Sequence, residues 1–198
     1  MARLRFVLTF VVAFALAGSG AALATQQKPA PPPPQKPGAA GPAPVLVLDT
    51  DKGVIEIELS PADAPKAVAR LVELAKQGFY RGQRFHWATK GVAQFGDPQS
   101  RDMTKETQWG MGGSGPRGSV RPIGVAEISK QPFVRGSVGL AYRPNVQTAE
   151  DSDSQMFILT LANPPLNGKY IYVGHVTKGL AVAEKIEKGD TIKMLTVK

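Results

Sequence analysis

The sequence predicts a mostly β fold, a closed antiparallel barrel carrying two α-helices, and three observations lead there. Short apolar stretches recur with glycine or proline between them, the first of them alternate with a period of two, and only two segments show helical spacing. Many short strands separated by turn residues close into a barrel or pair as a sandwich, and two helices suffice to plug a barrel's open ends. At 198 residues the chain suits one domain with a real core, with room for appendages.

The appendages come first. Met1 to Arg5 carries two arginines, Phe6 to Ala17 is uncharged and apolar, and Ala22-Leu23-Ala24 places small residues where a signal peptidase reads. Residues 1–24 therefore read as a secretory signal. The alternative, a retained membrane anchor, needs roughly 20 apolar residues, more than this run supplies before Gly18, Ser19 and Gly20 end it. Export to the periplasm or the outside is expected, with no membrane span once the signal is removed. The chain has no cysteine, hence no disulfide and no thiol for lipid attachment. Residues 25–44 are almost wholly Pro, Ala, Gly, Gln and Lys around Pro31-Pro32-Pro33-Pro34, and cannot bury enough to offset ordering. They read as an extended, partly polyproline II tether, either a plain spacer or a proline ligand for the chain's own domain.

The domain proper spans 45–198. Val45 to Leu48, then Val54 to Leu59 with Ile55, Ile57 and Leu59 alternating against Val54, Glu56 and Glu58, form two strands about a turn at Asp51-Lys52-Gly53. Ala64 to Gln77 has helical spacing at Ala64, Val68, Leu71 and Ala75, with Pro65 in the first turn and Gly78 as the stop. Strands are expected at 84–88, 92–95, 123–128, 137–141, 156–161, 170–176 and 191–197, and a second helix over 180–187, stopped by Gly189.

Composition removes several chemistries. His86 and His175 are the only histidines, so with no cysteine a zinc site or a catalytic triad lacks side chains, and neither metal nor cofactor is expected. Gly110 to Gly115 satisfies the spacing of a pyrophosphate loop, but Pro116, Gly118 and Pro122 forbid the helix that must follow, so a flexible surface loop is expected there. Of the net charge of +8, Arg3, Arg5, Lys28 and Lys36 carry four, which leaves too mild a basic excess to point to nucleic acid.

What remains is a pair of segments, Phe85-His86-Trp87-Ala88 running on to Gln94-Phe95-Gly96-Asp97-Pro98, and Ser154-Gln155-Met156-Phe157-Ile158 followed by Leu166-Asn167-Gly168-Lys169-Tyr170. Gln155 and Phe157 stand two apart, so a strand shows both on one face, an amide beside an apolar plate, and turns Met156 and Ile158 to the core. The two segments resemble the cyclophilin family of peptidyl-prolyl isomerases, over Val45 to Val197, and the resemblance implies a cyclophilin-like barrel. It implies catalytic positions at Gln94, Gln155 and Phe157, and at Trp87, where the family has its arginine. It implies substrate contacts at His86, Ala93, Ala141, Tyr142, Arg143, Leu166 and Tyr170. The chain departs from the family pattern at Tyr142 for asparagine, Pro165 for tryptophan, Tyr170 for histidine, and around Gly91-Val92-Ala93, which is one residue short and lacks a phenylalanine. His86 is read as a structural hydrogen-bonding residue, since isomerisation moves no proton.

The departure at Trp87 bears on mechanism. Rotation about a peptide bond must surmount about 18–20 kcal/mol because the twisted amide loses resonance. A placed cation and donor near the prolyl nitrogen favours the twisted form, and losing one such donor costs about 3–4 kcal/mol. Arg84, three residues from Trp87, points to the opposite face of a regular strand; Arg143, in the loop after Ala141, has a side chain long enough to reach over the rim. The expected function is isomerisation of Xaa-Pro bonds in exported proteins, assisting their folding, at reduced turnover. The alternatives are a catalytically silent proline-binding or chaperone-like module of the cell envelope, and an envelope protein with a vestigial groove. The expected partners are proline-containing segments of exported proteins, and the expected state is a monomer.

Overall fold

The computed structural model describes residues 42–143, 145, 146 and 148–198; the expected signal at 1–24 and residues 25–41 of the expected tether lie outside them. The domain opens on a hairpin, β1 (Val45–Thr50) and β2 (Gly53–Leu59), paired from Val45 with Glu58 to Thr50 with Gly53. Leu46 and Leu48 face the core with Ile55, Ile57 and Leu59, so the alternation read from the sequence is the inside–outside alternation of the sheet.

The helix α1 (Pro65–Lys76) buries Ala67, Val68, Leu71, Leu74 and Ala75. It closes at Gly78, whose φ of +69° lets the Gly78 and Phe79 amides turn back to the carbonyls of Ala75 and Leu74, both at 3.0 Å. Ala64 has no side chain to cap the other end. The carboxylate of Glu127 does so from a distant loop, accepting from the Lys66 and Ala67 amides at 3.0 and 2.9 Å.

The remaining strands are β3 (Trp87–Thr89), β4 (Val92–Phe95), β5 (Ser137–Leu140), β6 (Met156–Leu159), β7 (Ile171–Lys178) and β8 (Ile192–Val197), with the short helix α2 (Leu180–Ala183) before the last. They form one antiparallel sheet in the order β3-β4-β6-β5-β7-β2-β1-β8. Its two edges meet. Just ahead of β3 and β8, Arg84 pairs with Thr191, the Phe85 amide donates to Asp190 and Gly189 donates to Phe85, at 2.9 and 2.8 Å. The edges are joined only at this corner; β3 and β8 themselves are not paired with each other. Inside lies the main core, where Phe95 meets Phe85 and Tyr80 edge-on at 5.1 and 6.0 Å. A second apolar cluster, of Phe133, Ala141, Phe157 and Leu159, lies on the outer face.

Three expectations are corrected. Residues 123–128 alternate in exposure as a strand would, but Ile123 and Gly124 donate to the carbonyls of Ser152 and Glu150 at 2.9 and 3.0 Å, outside any ladder, and Glu127 is drawn to the end of α1. The second helix stops at Ala183 rather than at 187, because the chain must turn at Glu187 to Asp190 to bring Gly189 and Asp190 to Phe85. The strand expected over 84–88 pairs continuously only from Trp87, since Arg84 and Phe85 are taken up by the edge closure.

Candidate active site

The register sets the site. Trp87 opposes Gln94, Gln94 opposes Phe157, Phe157 opposes Gly139, and Gly139 opposes Tyr172. Directly opposed residues share a face, so these five form one row on the outer face of four adjacent strands and the edge strand. Gly139 is what lets the row pack: a Cβ there would lie 2.4 Å from Phe157 Cζ and 2.8 Å from Phe133 Cε1. The Phe157 ring therefore lies over the bare backbone of β5. Phe133 packs beside it at 5.7 Å and Tyr170 stands edge-on at 5.5 Å. Tyr170 in turn stacks on Tyr142, ring centres 4.6 Å apart and planes 7° from parallel, so the two departures from the family pattern compensate each other. Burial, then the neighbouring Tyr142 hydroxyl, push the Tyr170 phenol up to about 12, so it stays neutral. Beside this wall is an open depression of about 580 Å³ lined by Tyr142, Pro165, Leu166, Lys169 and Tyr170.

The polar side is built from two amides and a glycine-rich loop. Gln94 Nε2 donates to Gln155 Oε1 at 3.0 Å, and Gln155 Nε2 donates to the carbonyls of Gly110 and Gly112 at 2.9 and 2.8 Å. Buried Asp97 accepts from the Gly110 and Gly112 amides at 2.6 and 3.1 Å and from Gln99 at 2.8 Å. Buried Asp153 accepts from the Ser114 and Arg121 amides at 2.5 and 2.9 Å, and from the Ser114 hydroxyl. The loop expected to be a flexible surface segment is instead anchored on three buried side chains. Glycine serves close approach there: a Cβ on Gly112 would lie 2.3 Å from Asp97 Oδ1. Each primary amide has two donors. Gln155 has spent both on the loop, whereas Gln94 keeps one free of any partner among the described residues.

The other residues singled out in the sequence fall in four places. Trp87 is 58% exposed at the Gln94 end of the row. Ala141 and Leu166 belong to the outer cluster with Tyr170. Ala93 does not face this site: it is 1% exposed and packs in the main core, because β4 turns it opposite to Gln94. His86 is buried beneath Gly110, and neither ring nitrogen has a hydrogen-bond partner among the described residues, contrary to the hydrogen-bonding role expected. Burial pushes its imidazole down to about 4, against the opposing pull of the Asp97 charge.

Among the described residues neither Arg84 nor Arg143 takes the place of the missing arginine. Arg84 turns to Gly189 O and Thr191 Oγ1, both at 2.8 Å. Arg143 forks onto Asp151, with Nε to Oδ2 at 3.0 Å and Nη2 to Oδ1 at 3.2 Å, rather than reaching free over the rim. Among the described residues no arginine donates to Gln94 or Gln155. Sequence reasoning missed Phe133, Asp97, Asp153 and Gly139. Asp97 had a signal, since Asp-Pro ahead of a turn marks a side chain free to accept backbone amides; Gly139 and Phe133 had none without the register.

Comparison with known proteins agrees with this geometry. A family model described as cyclophilin type peptidyl-prolyl cis-trans isomerase/CLD matches residues 45–197. The chain is similar to a probable peptidyl-prolyl cis-trans isomerase of Brucella suis biovar 1 (strain 1330), 40% identical over 161 residues, 81% of this chain and 80% of the relative. It is similar to a peptidyl-prolyl cis-trans isomerase of Helicobacter pylori (strain ATCC 700392 / 26695), 35% identical over 151 residues, 74% of this chain and 82% of the relative. In fold it resembles the crystal structure of a cyclophilin type peptidyl-prolyl cis-trans isomerase of Cryptosporidium parvum, with a TM-score of 0.63 at 24% identity, covering 79% of this chain and 97% of that one.

Proposed function

Since the chain belongs to the cyclophilin-type peptidyl-prolyl cis-trans isomerases and is an enzyme of that type, we propose that it acts on Xaa-Pro bonds of exported proteins and assists their folding, with turnover held down by Trp87. The row from Trp87 through Gln94 to Phe157 carries this reading. The substrate's proline ring packs against the aromatic wall of Phe157 and Tyr170, and the free Gln94 N–H holds a peptide carbonyl. Gln155 works at one remove: it fixes Gln94 and the Gly110–Gly112 loop and has no donor left for substrate. With the ring and one carbonyl fixed, rotation about the Xaa-Pro bond moves the rest of the peptide, and stabilising the twisted form lowers the barrier. Trp87 supplies a neutral indole N–H where a guanidinium would meet the lone pair freed on the prolyl nitrogen, so the electrostatic part of that stabilisation is missing.

Export rests on the basic start, the apolar run and the small residues at 22–24, followed by the proline-rich stretch. Two measurements test the proposal. Exchange NMR on a short Xaa-Pro peptide should show catalysed interconversion, slower than for an arginine-bearing variant; binding without exchange would reassign the groove to a silent proline-binding module. N-terminal sequencing of the protein from an exporting host should begin at Thr25, and an intact Met1 end in the cytoplasmic fraction would refute export.

A further inference from the structure

Trp87 stands where the family's charged donor would be, but its indole is a large apolar surface, and we propose that it selects substrates with an apolar side chain two or three residues from the proline. The inference rests on the isomerase reading of the groove and adds to it a substrate class. Trp87 is 58% exposed, the most open of the exposed large apolar side chains of the described residues. An indole held on a strand against solvent leaves on the order of a hundred Å² of apolar surface to be covered.

What covers it follows from the row. Trp87 and Phe157 lie on the same face, two strands apart, with Gln94 between them. At about 4.8 Å per strand the separation is roughly 10 Å at the backbone, the length of two to three residues of extended peptide. A peptide whose proline rests on the Phe157 wall, with a carbonyl on Gln94, thus brings a side chain two or three residues away onto the indole. The surface there is continuous. Val92 pairs with Thr89 one step along the same two strands and packs against the outer cluster, so it lies diagonally beside Trp87. Leu161, 49% exposed, lies beside Gly91, where a Cβ would stand 3.9 Å from Leu161 Cβ and where the chain lacks the family's phenylalanine. The backbone of this corner is fixed, since Gly91 O accepts from Thr160 at 3.0 Å and Thr160 Oγ1 donates to Lys90 O at 2.8 Å. Clients with apolar residues two or three positions from a proline, as unfolded segments of future cores have, would gain from covering it. Glycine or aspartate in the same position would not.

The test uses the full chain and peptides with one central Xaa-Pro bond, in which the three positions before and the three after the proline are set in turn to Phe, Leu, Gly and Asp. Catalysed exchange rates against peptide concentration give kcat and KM for the protein, for Trp87→Ala and for Trp87→Phe. The expected result is that Phe or Leu at one position is preferred over Gly by about fivefold to tenfold, as half-burying such a side chain provides. That preference should sit in KM, vanish in Trp87→Ala and return in Trp87→Phe. A protein without preference at any position overturns the inference, as does a preference that Trp87→Ala leaves intact. In both cases catalysed exchange of the glycine peptides shows that the groove still works; loss of exchange and binding for every peptide would instead sink the isomerase reading and this inference with it.

Discussion

At the scale of single residues, Trp87 and Phe157 separate turnover from binding. Trp87→Arg restores a charged donor on the same face as Gln94, on an exposed edge strand with room for it. Turnover on a short Xaa-Pro peptide should rise by about tenfold to a thousandfold, within what a preorganised donor contributes; an unchanged rate in the folded variant would mean that the pocket no longer presents the prolyl nitrogen there. Phe157 is a harder case, because its ring is 4% exposed and wedged among Phe133, Tyr170 and Gly139. Phe157→Ala should abolish proline-peptide binding and also cost about 3–5 kcal/mol of stability, the usual range for emptying an aromatic site. Urea unfolding and peptide titration by NMR on the same sample distinguish the two effects. Full affinity in a destabilised variant would make Phe157 packing alone.

At the scale of elements, what the sequence reveals depends on whether an element is specified locally. The hairpin and α1 were legible because Ile55, Ile57 and Leu59 alternate within one strand, and because Ala64, Val68, Leu71 and Ala75 recur within one helix. The run 123–128 alternates equally well and is no strand, since a strand needs a free edge and its amides are committed to Ser152 and Glu150. Gln155 and Phe157 could be put on one face from their spacing. That Gln155 faces the loop rather than the substrate could not, because its partners Gly110 and Gly112 lie more than forty residues away. The same nonlocal anchoring gives a prediction for the loop. Gly112→Ala forces a methyl against the Asp97 carboxylate and should cost about 1–3 kcal/mol, in the range of overpacking. It should also loosen Gln155 and Gln94, raising KM more than it lowers kcat. Equal thermal melting of the two proteins would show that the loop yields freely.

At the scale of the whole molecule, the buried imidazole ties stability to acidity. His86 sits under the anchored loop with both nitrogens unpartnered among the described residues, facing the charges of Asp97 and, more distantly, Lys188. Its folded value is about 4 against an ordinary 6.5. Between those values the unfolded chain takes up a proton that the folded chain refuses, so stability falls as pH falls from about 6.5 towards 4 and the loss levels off below. A tenfold difference in proton affinity between the two states is worth about 1.4 kcal/mol, so about 2 kcal/mol should be lost between about pH 7 and about pH 5, above the range where ordinary carboxylates protonate. The proton would also have to be housed beneath Gly110, next to the amides that Asp97 and Gln155 hold, so the loop should open before the sheet, whose edges are closed at Arg84 and Thr191. Urea unfolding of the protein and of His86→Leu at the two pH values decides the matter, because the slope with pH is read independently of any packing change. The protein should lose about 2 kcal/mol and the variant almost none; equal losses in both would place the acid sensitivity elsewhere and free His86 of any part in it.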